Sequence, residues 1–237
     1  MPAASAIVST KPDRKQAILL TAEKLFAQKG YHAVSLRQIA EEACVPLALV
    51  GYYYGPKHEL FHAIFAHWNS TIEERMQALA SARASKPRNR FGPVIEAFIG
   101  PVLRMRASAE GEYYALLVAR ELYHANAETD RVMRAYFDPL AHAFIDALHE
   151  LAPRATRGQV AWCYQFALGA LLHHLSDCRI ERLSRGENKP GDPTAALYLA
   201  RFIEGGLRAA LAAKPHSAVP PRSVSKPPKT PPRRRQK

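Results

Sequence analysis

Hydrophobic residues recur every three or four positions along most of the chain, and no stretch alternates as a half-buried strand would. The first such face has the spacing i, i+4, i+7, i+8 and consists of Ile18, Ala22, Leu25 and Phe26. It predicts a helix over residues 13–29, and Gly30 is suited to end it in a left-handed conformation. The pattern as a whole predicts an all-α protein.

Two short helices follow in the predicted order of a helix-turn-helix. Ser35 and Gln38 have the spacing of a capping box, which predicts a second helix. After a four-residue turn, Pro46 is suited to the first turn of a third helix, which Gly55 and Pro56 end. A long amphipathic helix is then predicted over residues 57–82. Its apolar face consists of Leu60, Ile64, Trp68, Ile72 and Met76.

Periodicity and composition divide the rest of the chain into further helices, a linker-like gap and two terminal segments. Beyond a linker-like gap at residues 85–92, periodicity predicts helices over 93–107, 111–125, 128–151 with a bend at Pro139, 156–183 and 193–213. We expect residues 1–12 to be a flexible arm and the Pro-rich, basic residues 214–237 to be a disordered tail. Residues 13–58 are predicted to form a helix-turn-helix domain and residues 59–213 a larger helical domain.

Charge and cysteine content indicate the kind of partner and the cellular compartment. The net charge is +12, but eight Lys and Arg residues lie at or beyond Lys214 with no acid among them, so the remainder carries +4. A modest basic excess survives between Lys11 and Lys57, which suits a polyanionic partner. Three separated cysteines predict a reducing compartment. The most apolar stretch, residues 160–172, is too short to span a membrane, so we expect a cytoplasmic protein without a membrane partner.

The N-terminal pattern resembles that of the TetR/AcrR family of bacterial transcriptional regulators. The resemblance covers about residues 14–68. The matching positions are Phe26 through Gly30 and Tyr31, Ser35 through Ile39 and Ala40, Ala43 with Val45, and then Val50, Tyr53, Tyr54, Lys57 and Leu60. It implies a three-helix helix-turn-helix head followed by a larger helical domain for ligand binding and dimerisation.

The resemblance also implies roles for individual residues in DNA binding. Phosphate contacts would come from Ser35, Arg37, Tyr52, Tyr53 and Lys57, and base edges would face Pro46, Leu47, Ala48 and Leu49. Cys44 stands where the family commonly has glycine, and Gly51 replaces a usual tyrosine. The third predicted helix, from Pro46 to Tyr54, would be the recognition helix that enters the major groove. It has no Arg, Lys, Asn or Gln, so we expect its sequence specificity to come from contacts with thymine methyl groups and from groove shape.

By the same resemblance the protein would be a repressor that binds a palindromic operator as a homodimer and is released by a small-molecule effector. The last two long helices would form the dimer interface, with candidates Trp162, Phe166, Gly169, Ala170, His173, Tyr198, Phe202 and Gly206. Candidates for lining an effector pocket are Phe98, Met105, Tyr114, Leu117, Phe137 and His142. No metal, cofactor or enzyme activity is expected.

Two alternatives stay open at this point. His58, Glu59 and His62 form an HExxH string, which on a helix could hold zinc for a hydrolase, although the third ligand of such a site is not found at the usual spacings. The chain could also be a helical module that binds another protein. Zinc content would test the first alternative, and a salt-dependent gel shift would test the second.

Overall fold

The computed structural model describes residues 13–84, 91–108, 111–123 and 127–212, and all regular elements in these ranges are helical. The all-α prediction is therefore confirmed. The helices are α1 (Arg14–Lys29), α2 (Leu36–Glu42), α3 (Leu47–Tyr54), α4 (Lys57–His67), α5 (Asn69–Ala84), α6 (Phe91–Ala107), α7 (Glu112–Tyr123), α8 (Ala127–Val132), a π-helical segment (Met133–Phe137), α9 (Asp138–Leu151), α10 (Arg157–Ser176), α11 (Ile180–Leu183) and α12 (Ala195–Ala212). The predicted arm and tail lie outside the described residues. Within the described ranges, no helix is long and apolar enough to cross a membrane.

Helix α1 ends at a glycine for two physical reasons. Gly30 has φ +88°, which side-chain-bearing residues rarely adopt, and its N–H donates to the carbonyl of Phe26 at 2.8 Å. Its ψ of 154° lies outside the left-handed helical region that the sequence predicted. In addition, a Cβ at this position would lie 2.8 Å from Nη2 of Arg120 on α7. That guanidinium donates to the carbonyl of Lys29 at 3.3 Å and so ties α7 to the end of α1.

The helix-turn-helix forms as its caps predict. The Ser35 hydroxyl accepts from the backbone N–H of Gln38 at 3.2 Å, and the Gln38 side chain accepts from the backbone N–H of Ser35 at 2.8 Å. The turn between α2 and α3 places Cys44 at φ +54°. Pro46 is the N-cap of α3, whereas the sequence predicts it inside the first turn. Helix α3 therefore begins one residue later than predicted. The two short helices are thus set by local interactions.

The predicted long helix over residues 57–82 is wrong, because it divides into α4 and α5 at Trp68. Trp68 has φ −91° and ψ 9°, and the hydroxyl of Thr71 donates to its carbonyl at 2.7 Å. The Trp68 indole N–H reaches back to α1 and donates to Glu23 at 2.7 Å. Beyond this break the buried face shifts, and Met76, expected in the apolar stripe, is exposed.

Two later helices are also interrupted. Where the sequence predicts a bend at Pro139, a π-helical segment ends at Phe137, and Pro139 in the first turn of α9 has no N–H to continue the regular pattern. The helix predicted over residues 156–183 instead ends at Ser176. There Asp177 has extended backbone, and its carboxylate accepts from the backbone N–H of Arg179 at 2.9 Å, which starts a separate turn before α11.

The helices enclose two hydrophobic cores. The first lies among α1 to α4, and its most buried members include Ile18, Phe26, Ile39, Val50, Phe61 and Phe65. Tyr114 and Leu117 of α7 also belong to this core, so α7 packs directly on the helix-turn-helix head. The other core lies among α5, α6, α9, α10 and α12. The predicted domain boundary between residues 58 and 59 falls inside α4.

Candidate DNA-binding surface and ligand cavity

The outer face of α3 is open to solvent and uncharged. Of the residues expected to face bases, Pro46, Leu47 and Ala48 are exposed and Leu49 is half-buried. Tyr52 is 80% exposed, whereas Val50 is fully buried and anchors the helix. A Cβ placed on Gly51 would meet no atom within 4 Å, so nothing in the described chain covers this part of the face. The surface is suited to van der Waals contact and groove shape rather than to hydrogen-bonded base readout.

Two of the expected phosphate-binding residues lie at the start of α2. Arg37 is exposed and forms no ion pair with a described residue. Ser35 is exposed too, but its hydroxyl takes part in the capping box and contacts Oε1 of Gln38 at 3.1 Å. Arg37 is therefore available as a cation, while Ser35 mainly fixes the position of the helix start.

Lys57 lies against an aromatic ring at the start of α4. Its Nζ is 4.3 Å from the centroid of the Tyr31 ring, within the range of a cation–π interaction. Burial lowers the pKa of Lys57. Tyr53 is half-buried beside Tyr52, with the ring centroids 5.2 Å apart. These residues present a positioned cation and an aromatic edge beside the recognition helix.

Sequence reasoning did not single out Lys15, which the structure places next to α3. The Tyr54 hydroxyl donates to the Lys15 carbonyl at 2.8 Å, and the Lys15 ammonium lies 5.9 Å from the Tyr54 ring centroid. Burial, together with the nearby Asp13 carboxylate, raises the pKa of Tyr54 to about 12. Tyr54 is thus a neutral donor that fixes the start of α1, and Lys15 adds a cation near the recognition helix.

The HExxH string does not bring metal ligands together. His62 Nε2 lies 3.3 Å from a carboxylate oxygen of Glu128 on α8, and His58 Nε2 lies 3.2 Å from its neighbour Glu59. Within the part of the chain that is described, no three His, Cys, Asp or Glu side chains are arranged to hold a metal ion. These residues belong to the first turns of α4, and His62 connects α4 to α8.

A cavity of about 260 Å³ lies among α5, α6, α7, α9 and α10. Three of the residues expected to line an effector pocket do line it: Met105, Tyr114 and Phe137. The other three do not. Phe98 packs in the second core, Leu117 packs in the first core, and His142 is exposed on α9. Helical periodicity identifies an apolar residue but not which of two cores it enters.

Arg75 of α5 lies in the wall of this cavity and is 7% exposed. Its guanidinium carbon is 5.4 Å from the ring centroid of Phe98 and 5.6 Å from that of Phe144. Its Nε has no acceptor among the described residues, and none of their carboxylates forms an ion pair with it. Burial lowers the pKa of Arg75. Tyr114, in the same wall, has a buried hydroxyl that is equally without a partner there.

Glu23 connects the head to the wall of the cavity. The side chain is 1% exposed, and burial raises the pKa of its carboxyl to about 7 although hydrogen bonds from Trp68 and from the backbone of Tyr114 oppose the shift. The Trp68 indole stacks on the Tyr114 ring, with centroids 5.3 Å apart and planes inclined by 17°. A residue of α1 is therefore in direct contact with Tyr114, which lines the cavity.

An exposed aromatic face runs along α10 and α12. Its members are Trp162 (65% exposed), Phe166 (67%), Tyr198 (69%) and Phe202 (71%). The remaining interface candidates lie on the same two helices: Gly169, Ala170 and His173 on α10, and Gly206 on α12. A Cβ added to either glycine would meet no atom within 4 Å, so these stretches of helix surface are open in the described chain.

The fold and the head together define an all-α DNA-binding protein with a helix-turn-helix. Residues 18–64 match the family model described as bacterial regulatory proteins, tetR family. Residues 96–206 match the model described as tetracyclin repressor-like, C-terminal domain. The chain belongs to the TetR family of transcriptional regulators.

Relatives of known name and solved structure agree with this assignment. The HTH-type transcriptional regulator BetI of Brucella anthropi is 26% identical over 158 residues, which cover 65% of this chain and 77% of BetI. The regulator HbdR of Aromatoleum sp. (strain CIB) is 31% identical over 64 residues, 27% of this chain and 28% of HbdR. The fatty acid degradation regulator FadR from Bacillus halodurans has the same fold, with a TM-score of 0.58 and 14% identity over 84% of this chain and 99% of that one. The structure of a TetR-like transcriptional regulator from Rhodococcus sp. RHA1 has a TM-score of 0.57 to this one. It is 23% identical in sequence and covers 86% of this chain and 99% of its own.

Proposed function

We propose that the protein is a repressor that binds a palindromic operator as a homodimer and leaves it when a small molecule occupies the cavity. The observation that carries this proposal is the aromatic face of α10 and α12. Four aromatic side chains about two-thirds exposed form a patch of the kind that marks a protein interface. Pairing two copies through one self-complementary face creates two-fold symmetry, and a two-fold symmetric protein matches a palindromic site.

For the DNA contacts we propose a division between the flanks and the centre of the helix-turn-helix. Arg37, Lys57 and Lys15, with Ser35 and the tyrosines Tyr52 and Tyr53, contact phosphates on either side of the groove. The uncharged face of α3 from Pro46 to Leu49 lies against the base edges. Because that face has no hydrogen-bonding side chain, affinity depends largely on phosphate contacts and on the spacing of two half-sites.

Release follows from how the cavity is joined to the head. Helix α7 forms one wall of the cavity and also packs along α1, where Arg120 donates to the carbonyl of Lys29. A ligand lowers operator affinity if it binds more tightly to a dimer whose two heads no longer match the half-site spacing. The cavity is the proposed place for that ligand.

Selection of genomic fragments that the protein retains, followed by gel shifts across a salt series, tests the DNA-binding part. We expect the double variant Tyr53→Ala/Lys57→Ala to bind the selected site about 10- to 100-fold more weakly. The slope of log affinity against log salt should become less steep by about 2, since the dimer loses one phosphate-neutralising cation from each protomer. Unchanged binding by this folded variant would contradict the placement of the phosphate contacts.

The matched control is Tyr123→Ala/Arg154→Ala, which removes an aromatic ring and a cation that are both exposed and lie outside the head. We expect this control to bind the operator like the unaltered protein. Failure of the unaltered protein to shift any DNA at low salt would overturn the proposed function and favour a protein-binding module.

A further inference from the structure

The cavity contains a positive charge that the described chain does not neutralise. The Arg75 guanidinium lies against the rings of Phe98 and Phe144, and its Nε has no hydrogen-bond acceptor among the described residues. Buried polar groups nearly always have a partner, and a buried charge without one is costly. An arginine in such a position is explained if its partner arrives with a ligand.

A second donor in the same wall points to the same kind of ligand. The Tyr114 hydroxyl is buried and has no partner among the described residues. Its ring stacks on Trp68, so packing fixes the position of the hydroxyl oxygen. A guanidinium and a hydroxyl, both able to donate, together suit an anionic acceptor.

The other residues of the cavity wall indicate the chemical character of the rest of the ligand. It is mainly apolar and includes Val102, Met105, Leu140, Leu168 and Leu171. Asp138, also in the wall, is exposed and forms no ion pair with Arg75 in the described structure. At about 260 Å³, the cavity holds roughly nine water-sized groups, slightly below the usual range for ligand pockets.

We propose that the cavity binds a small monocarboxylate, with the carboxylate accepting hydrogen bonds from Arg75 and Tyr114 and an apolar body of about seven carbon atoms filling the rest. This inference rests on the proposed function, because it names the chemical class of the effector. A cation is disfavoured by the charge of Arg75. A phosphate dianion would bury a second charge against apolar side chains, whereas a carboxylate matches one guanidinium in geometry and charge.

Calorimetric titration of the full chain with octanoate, and with the uncharged octanamide of the same length, tests the proposal. We expect octanoate to bind the unaltered protein at least about tenfold more tightly than octanamide. Arg75→Met, which retains the length of the side chain without its charge, should abolish that preference. Tyr114→Phe should reduce octanoate affinity several-fold and octanamide affinity by less, because a hydrogen bond to a charged acceptor is the stronger of the two.

The matched control is Arg154→Met, which removes an exposed guanidinium far along the chain and should bind octanoate normally. Urea unfolding verifies that each variant is folded. Should Arg75→Met not fold, the Tyr114→Phe variant and the octanoate to octanamide ratio in the unaltered protein decide the question. Equal affinity for the two compounds, or no binding of octanoate, overturns the proposal.

Gel shifts of the same proteins on the selected operator separate this inference from the proposed function. Octanoate should weaken operator binding by the unaltered protein and by Arg154→Met, and should have little effect on Arg75→Met. A protein that binds its operator but does not distinguish octanoate from octanamide remains a repressor with another effector. A protein that binds no DNA refutes the repressor proposal, whatever the calorimetry shows.

Discussion

Glu23 is a buried acid whose protonation should affect stability near neutral pH. Burial raises the pKa of its carboxyl from 4.5 to about 7 in the folded protein. The folded state therefore binds this proton more tightly than the unfolded state does. The resulting stabilisation is fully present below about pH 4.5 and is lost as the pH rises through about 7.

We predict that Glu23→Gln, which is neutral at every pH, removes this part of the pH dependence. Between pH 5 and 8 the stability difference between the variant and the unaltered protein should change in favour of the variant by on the order of 3 kcal/mol. Urea unfolding at a series of pH values measures it. Parallel curves for the two proteins would show that Glu23 titrates with an ordinary pKa.

Single residues show where sequence reasoning reached its limit. Arg75 follows two glutamates, yet it lies three positions after Ile72 and four before Leu79, on the buried stripe of α5. That spacing by itself indicates that Arg75 is buried. The partner of Glu23 is different, because Trp68 lies 45 residues away and no local pattern indicates a contact at that distance.

At the scale of elements, the turn between α2 and α3 contains a strained residue. Cys44 is exposed and adopts φ +54°, a region that glycine occupies without steric cost. We predict that Cys44→Gly raises the free energy of unfolding by roughly 0.5 to 1 kcal/mol, because the steric cost is relieved. Thermal or urea unfolding measures the change, and operator binding should be retained.

Cys44→Ala is the matched control, since alanine removes the sulfur but retains the Cβ that causes the strain. Its stability should stay close to that of the unaltered protein. Were alanine and glycine to stabilise equally, the cause would lie in the thiol rather than in the backbone conformation.

The helices that the sequence predicted well are those bounded by local interactions. The capping box of Ser35 and Gln38 and the glycine at position 30 are read from neighbouring residues, and α1 to α3 begin and end within a residue or two of expectation. The break at Trp68 was not predicted, because the apolar periodicity continues across it. Its cause is tertiary, since the indole reaches α1 and that contact is invisible in a local pattern.

At the scale of the whole molecule, the cavity and the head belong to one connected set of contacts. Tyr114 lines the cavity, stacks on Trp68, and belongs to the same core as the buried residues of α1. The all-α class and the order of the helices in the head could be predicted from periodicity and caps. The apolar residues that line the cavity could not be predicted in this way, because α6, α7 and α9 each contribute residues both to a hydrophobic core and to the cavity wall.

The oligomeric state provides the last test, because the proposed repression needs two heads at a fixed distance. We predict that the unaltered protein is a dimer at micromolar concentration and that Tyr198→Glu shifts it toward the monomer, as measured by sedimentation equilibrium. A charge placed in an apolar two-fold interface is buried twice, once from each copy, so one substitution has a double cost.

Tyr123→Glu is the matched control, because Tyr123 is 63% exposed, close to the 69% of Tyr198, but lies on α7 away from the aromatic face. It should remain dimeric. The Tyr198→Glu monomer should bind a single half-site only weakly, since paired heads share one site, yet it should still bind octanoate, because the cavity is formed within one chain. Loss of octanoate binding together with the dimer would show that the cavity needs the second copy. An unaltered protein that is monomeric at this concentration would refute the dimer and, with it, the palindromic operator.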